Sequence, residues 1–123
     1  MVTIGTFLIC SDNSGARVCK CVKVLGSIRQ PGIARLGNKL VASVQTARHD
    51  KKIKKHDVVR GVLVRRCARS VRSNGVIFSS LDNALVIIDK KNNPVATRIF
   101  GSMSQELRRM RFGKILSTCA SII

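Results

Sequence analysis

The chain predicts a mainly β fold, a small antiparallel β-barrel closed by short C-terminal helices. Runs rich in Val, Ile, Leu and Thr recur between turns of Gly, Asn, Asp and Ser as far as residue 100. Within residues 17–25 both alternating sets are apolar (Val18, Val22 and Val24; Cys19, Cys21 and Leu25), as in a barrel strand covered on two sides. After Gly101 the apolar spacing becomes helical.

Residues 3–10 are rich in β-branched residues and form the first predicted strand. Asp12, Asn13, Ser14 and Gly15 make a turn, and residues 17–25 a second strand, with Lys20 and Lys23 on opposite faces. Gly26, Pro31, Gly32 and Gly37 mark residues 27–38 as a flexible loop that carries Arg29 and Arg35. Residues 39–46 and 58–66 are two more strands, joined by the basic connection 48–55. Ser73, Asn74 and Gly75 signal a hairpin, flanked by 76–78 and 84–89, and a turn at 90–94 ends the β part. Ser102 followed by Gln105 fits a capping box, which would place Met103, Leu107 and Met110 on one helical face. Phe112, Ile115, Leu116 and Cys119 form a second short stripe, interrupted by Gly113. The expectation is one domain over residues 1–123, with the barrel in 1–100 and a helical module in 101–123.

Charge narrows the function classes. Lys and Arg number 23 against six Asp and Glu, a net charge of +17, while 45% of the residues are hydrophobic. A disordered basic tail lacks apolar residues in that amount. A folded polycation repels itself unless an anion neutralises it, and nucleic acid is the expected anion. No apolar run reaches the roughly 20 residues of a membrane span. The basic residues follow strand-like segments instead of one face of an amphipathic helix, which argues against a membrane surface. Residues 1–10 have neither the basic flank nor the cleavage site of a signal peptide.

The densest charge lies between Arg48 and Arg72, where ten basic residues face only Asp50 and Asp57. Such a run is ordinarily a solvated face, but here the excess spans the chain, so contact with phosphates is the better reading. Arg108, Arg109, Arg111 and Lys114 form a second cluster. Four Phe and neither Tyr nor Trp give poor support for a platform that stacks unpaired bases, so phosphate and shape recognition of folded RNA fits better. No helix-turn-helix or zinc finger speaks for DNA. His49 and His56 lie in the basic run without the paired carboxylates of a metal-assisted nuclease. No phosphate-cradling glycine motif or nucleophile elbow is present, so neither enzyme activity nor a cofactor is expected. The five cysteines contain no CxxC pair and read as small, reduced core residues without metal.

Three segments carry a family resemblance: Asp12-Asn13-Ser14-Gly15-Ala16-Arg17, residues 52–65 (KIKKHDVVRGVLVR), and Thr97-Arg98-Ile99-Phe100-Gly101 followed by Glu106-Leu107-Arg108. In this order and spacing the chain resembles the family of universal large-subunit ribosomal protein fourteen, in register from residue 1 to about residue 117. The resemblance implies a five-stranded barrel with a β-hairpin, no catalysis, and a place at the ribosomal subunit interface. The implied partners are large-subunit rRNA, small-subunit rRNA at bridges, ribosomal proteins three and nineteen, and a ribosome silencing factor. The expected rRNA-binding residues are Arg17, Lys20, Lys23, Arg29, Arg35, Arg48, Lys51, Lys52, Lys54, Lys55, Arg65, Arg66, Arg69 and Arg72. Arg98, Arg108, Arg109, Arg111 and Lys114 are the candidate intersubunit bridge.

The family usually has Gly where this chain has His56, Pro where it has Ser102, and Phe-Asp where it has Ser80-Leu81; residues 118–123 match poorly. That drift, the cysteines and the charge favour an organellar member, in a mitochondrial ribosome, with the bacterial cytoplasm or a plastid as alternatives. A chain starting in register with the family implies an organelle-encoded or processed protein. A free-standing RNA chaperone or translation regulator with the same barrel is the second function class. Native mass spectrometry is expected to show five free thiols and no zinc; a stoichiometric zinc ion lost on Cys19→Ser would overturn the cysteine reading.

Overall fold

The computed structural model describes residues 1–27 and 29–123. Five strands close into a barrel in the order β2 (Phe7–Cys10), β3 (Ala16–Val24), β5 (Lys39–Ala47), β6 (Val58–Arg65) and β9 (Ala84–Ile88). All neighbours are antiparallel except the closing pair, β2 and β9, which is parallel with Ile9 opposite Ala84. Parity requires it: directions that alternate around an odd ring must repeat once. The mainly β barrel with short helices is therefore as expected, with one parallel seam.

The first predicted strand is split. Gly5, at φ 90°, breaks residues 3–10 into β1 (Val2–Thr3) and β2. β1 pairs with β4 (Ile33–Ala34), so the predicted loop 27–38 contains a strand; residue 28 of that loop lies outside the described residues. Val2 and Ala34 are fully buried and extend the barrel core. Lys20 and Lys23 do not lie on opposite faces. Cys21 pairs with Ala42 but Lys23 with Val41, so a bulge at Val22 absorbs one residue and leaves both lysines exposed.

β6 and β9 are apolar without alternation because each separates two cores. Leu63, Leu85 and Ile87 point inward to meet Leu8, Cys19, Leu40 and Val44. Val62, Val64, Val86 and Ile88 point outward onto Ile99, Met103, Leu107, Phe112, Ile115 and Leu116. Gly61 lets β6 approach β9, since a Cβ there would overlap the Leu85 side chain. A small hairpin, β7 (Ser70–Val71) with β8 (Ile77–Phe78), leaves the barrel between β6 and β9.

The C-terminal segment departs from its predicted form. Ser102 and Met103 belong to β10 (Ile99–Met103), which pairs in parallel with β11 (Cys119–Ile122), so Ser102 starts no helix. The Ile123 amide donates to the Met103 carbonyl at 2.9 Å, and Gln105 at the head of the helix makes no side-chain cap. The helices are α1 (Glu106–Arg109) and α2 (Gly113–Thr118). Met103 still packs inward, from a strand, whereas Met110 is exposed. Phe112 is 4% exposed at the centre of this second core. Phe112→Ala is therefore expected to cost about 3 to 5 kcal/mol in urea unfolding; a loss below about 1 kcal/mol would show that the ring carries little of the packing.

Candidate nucleic-acid interface

The three sequence segments singled out above meet in space. At the end of β2, Asp12 is buried; its Oδ1 accepts from the Ser14 amide (3.2 Å) and hydroxyl, and its Oδ2 from the Ile87 amide at 3.0 Å. Next to it, Asn13 donates to Thr97 Oγ1 at 3.1 Å and accepts from the Arg98 amide at 3.2 Å. The Phe100 amide donates to the Ser11 carbonyl at 2.6 Å. Gly15, at φ 109°, then passes so close to the basic connection that a Cβ would overlap Lys51, while its carbonyl accepts from the Arg48 amide at 2.8 Å. Any side chain at position 15 is excluded by conformation and by space.

This hub presents cations. Arg17 and Arg48 are exposed and line one shallow depression with Gly15 and Phe100. On its far side Arg48, Lys54 and Lys55 line a groove of about 500 Å³ with His49. Lys52, Lys54 and Lys55 are exposed and Lys51 is half-buried. Their loop is fixed by the Lys54 amide, which donates to Asp57 Oδ2 at 2.9 Å, and by the His56 amide, which donates to the Val44 carbonyl. His56 holds φ 72°, the left-handed conformation that suits the glycine usual in the resembling family. Further along β3, Lys20 stands 5.8 Å from the Phe7 ring centre and Lys23 is exposed, while Arg29 is exposed in the loop before β4.

Two predicted phosphate ligands are engaged internally. Arg65 forms a two-pronged bond with Asp82 (Nε 2.9 Å, Nη2 3.0 Å), and its Nη1 donates to the Phe100 carbonyl at 3.0 Å across Gly101. Arg72 donates to Glu106 at 2.7 Å and to the Ile123 carbonyl at 2.7 Å, tying the hairpin to α1 and to the chain end. Spacing along the chain gave no sign of either contact, because Asp82 and Glu106 are distant in sequence. Arg66 and Arg69 lie at the hairpin base; burial, and then repulsion from Arg35, lowers the pKa of the Arg66 guanidinium. In the C-terminal module Arg98, Arg108, Arg109, Arg111 and Lys114 are exposed above the buried Leu107, Phe112, Ile115 and Leu116.

Inside the barrel Cys10 and Cys19 approach to 3.0 Å between sulfurs as free thiols. Contact with the Cys19 thiol, then burial, raises the Cys10 pKa far above its ordinary value, so Cys10 stays protonated. Among the described residues, His, Cys, Asp and Glu form no group of three suited to a metal ion, and no helix is long and apolar enough to cross a membrane.

A barrel whose rigid hub holds out exposed cations belongs, by sequence comparison, to the ribosomal proteins, which are structural components of the ribosome and not enzymes. Within that class the chain belongs to the ribosomal protein L14p/L23e family, whose pattern it matches over residues 1–123. It is similar to the proteins named large ribosomal subunit protein uL14c from Oryza sativa, Oryza nivara and Brachypodium distachyon, each 38% identical over 123 residues and matched over the whole of both chains.

The two kinds of arginine respond differently to substitution. Arg65→Gln is expected to lose about 2 kcal/mol of stability in urea unfolding, because Asp82 and the Phe100 carbonyl lose a charged donor. Arg108→Gln, on an exposed side chain, is expected to stay within about 0.5 kcal/mol of the parent. Equal effects would show that Arg65 is not the structural member of the pair.

Proposed function

We propose that the protein is a structural constituent of the large ribosomal subunit that binds rRNA mainly through phosphate contacts and helps bridge to the small subunit. The observation that carries this reading is the full-length match to the ribosomal family, joined to cations held on rigid supports: Arg17, Arg48, Lys51, Lys52, Lys54 and Lys55 around the Gly15 hub, with Lys20, Lys23, Arg29, Arg35, Arg66 and Arg69 elsewhere on the barrel and its loops. Arg65 and Arg72 stay with their carboxylates and contribute to RNA binding by positioning neighbouring strands. Arg98, Arg108, Arg109, Arg111 and Lys114 form the proposed bridge.

The family resemblance also proposes ribosomal proteins three and nineteen and a silencing factor as protein partners. An organellar ribosome is supported by the relatives, which are chloroplast proteins. The mitochondrion in place of the plastid rests on the departures from the family pattern alone, and fractionation of the organelles of the source cell tests it. A free-standing RNA chaperone would be released from large subunits by a high-salt wash; a subunit constituent sediments with them.

If about 6 to 10 phosphates are neutralised, affinity for a large-subunit rRNA fragment should fall by roughly 10³- to 10⁵-fold between about 50 and 200 mM salt. Salt-independent binding would sink the phosphate reading. Replacing Arg108 and Arg109 together by Glu should leave the fold and large-subunit assembly intact while weakening subunit joining, because neither side chain enters the core. Sedimentation of ribosomes carrying the double variant checks this, and normal joining would move the bridge elsewhere.

A further inference from the structure

A cleft of about 630 Å³ opens between the base of the β7–β8 hairpin, the segment around β4 and the end of α1. That size suits a small organic ligand. Arg35, Arg66, Arg69 and Arg109 supply its charge, and Ile33, Leu36, Phe78 and Met110 its apolar wall. We propose that this cleft receives one unstacked nucleotide of rRNA, with its phosphate at Arg35 and Arg66 and its base against the Phe78–Met110 wall. The inference rests on the RNA-binding reading above and makes it specific.

Charge is the first argument. Arg66 Nε donates to Ser70 Oγ at 3.0 Å and its Nη2 to the Arg69 carbonyl at 3.2 Å; Arg35 Nη2 donates to Gln30 Oε1 at 3.1 Å. Both guanidinium groups are thus oriented by neutral acceptors. Glu106 also lines the cleft: its Oε1 accepts from Arg72 at 2.7 Å, and its buried Oε2 has no hydrogen-bond partner. Arg35 and Arg66 both line the cleft, and Arg66 is partly desolvated and feels the Arg35 charge, so an anion bound beside them favours their charged forms. Arg65 and Arg72, by contrast, each have a carboxylate partner.

The wall supplies the second argument. A lone phosphate, or the backbone of a paired stem, needs cations but no apolar surface. Here the cations share the cleft with Phe78, whose ring has one face covered by the Arg72 guanidinium, 4.4 Å from its centre, so that a base would use the ring's remaining face or edge. A base leaving a helical stack gains contact with such a ring whatever its identity, since every base has a π-face. Scarcity of aromatic residues argues against a platform for a long single strand and leaves room for a single-base pocket.

The test uses the full-length protein and two RNA hairpins of identical stem, one of them carrying a single bulged 2-aminopurine. Wild type should bind the bulged hairpin about tenfold more tightly, within the range that stacking of one base supplies. That preference should fall below about threefold in the Arg35→Gln/Arg66→Gln variant and, independently, in Phe78→Leu and Met110→Ser. A control that removes the same charge elsewhere, Lys90→Gln/Lys91→Gln, should weaken both hairpins alike and keep the preference. Absence of preference in the wild type, or its equal loss in the control, overturns the assignment. Salt-sensitive binding of both hairpins without preference leaves the RNA-binding reading standing and removes only the cleft; failure to bind either removes both. An Asp- and Glu-rich peptide that binds the wild type more tightly than the bulged hairpin, and not the Arg35→Gln/Arg66→Gln variant, would give the cleft to a protein partner and overturn the nucleotide.

Discussion

The Asp12 carboxylate ties the turn after β2 to the last strand of the barrel. It sits where β2 ends, and it must satisfy the turn of Ser14 and the amide of Ile87 at once, which locks the start of the barrel to its last strand. Because the turn is held there, Asn13 can zip onto residues 97–98 and Gly15 can pass beneath Lys51. A buried carboxylate with several donors is stable only while all of them stay in place. The barrel seam, the basic connection and the approach to the C-terminal module therefore share one geometric requirement.

That requirement explains why three separated stretches of sequence carry the family resemblance. Residues 12–17, 52–65 and 97–101 are partners of one another and not three independent motifs, so a substitution in one strains the others. The barrel itself was legible because its signals are local: β-branched runs, turn residues, and strands apolar on both sides where two cores meet. Three features were not legible for reasons that are also physical. The Val22 bulge depends on pairing with β5, and nothing in the alternation of residues 17–25 marks it. The β1–β4 ribbon uses two residues per strand, too few to show a period. Ser102 and Gln105 have the spacing of a capping box, yet β11 takes the backbone that a helix start would need. The β-branched end of the chain, Ile122 and Ile123, was the available hint of that strand.

The candidate site was legible as a charge surplus and not as an arrangement. Nothing in the run from Arg48 to Arg72 distinguishes Arg65 from Arg66, although one is paired with Asp82 and the other is left beside Arg35. Partners distant along the chain decide the role of each cation, and folding is what brings those partners close.

The few acidic residues then acquire a meaning that composition alone hides. Asp12 joins strands, Asp57 and Asp89 close turns onto backbone amides, Asp82 holds Arg65 and Glu106 holds Arg72. These five carboxylates are used to build the fold and the sixth, Asp50, is exposed in the basic connection; together they offset only six of the 23 Lys and Arg charges. Self-repulsion of a +17 chain is accordingly left in place and not screened from within. Exposed cations on rigid supports gain most from an external polyanion, since little conformational entropy is lost when it binds. The same economy of acidic groups that makes the isolated barrel electrostatically poor prepares it for RNA.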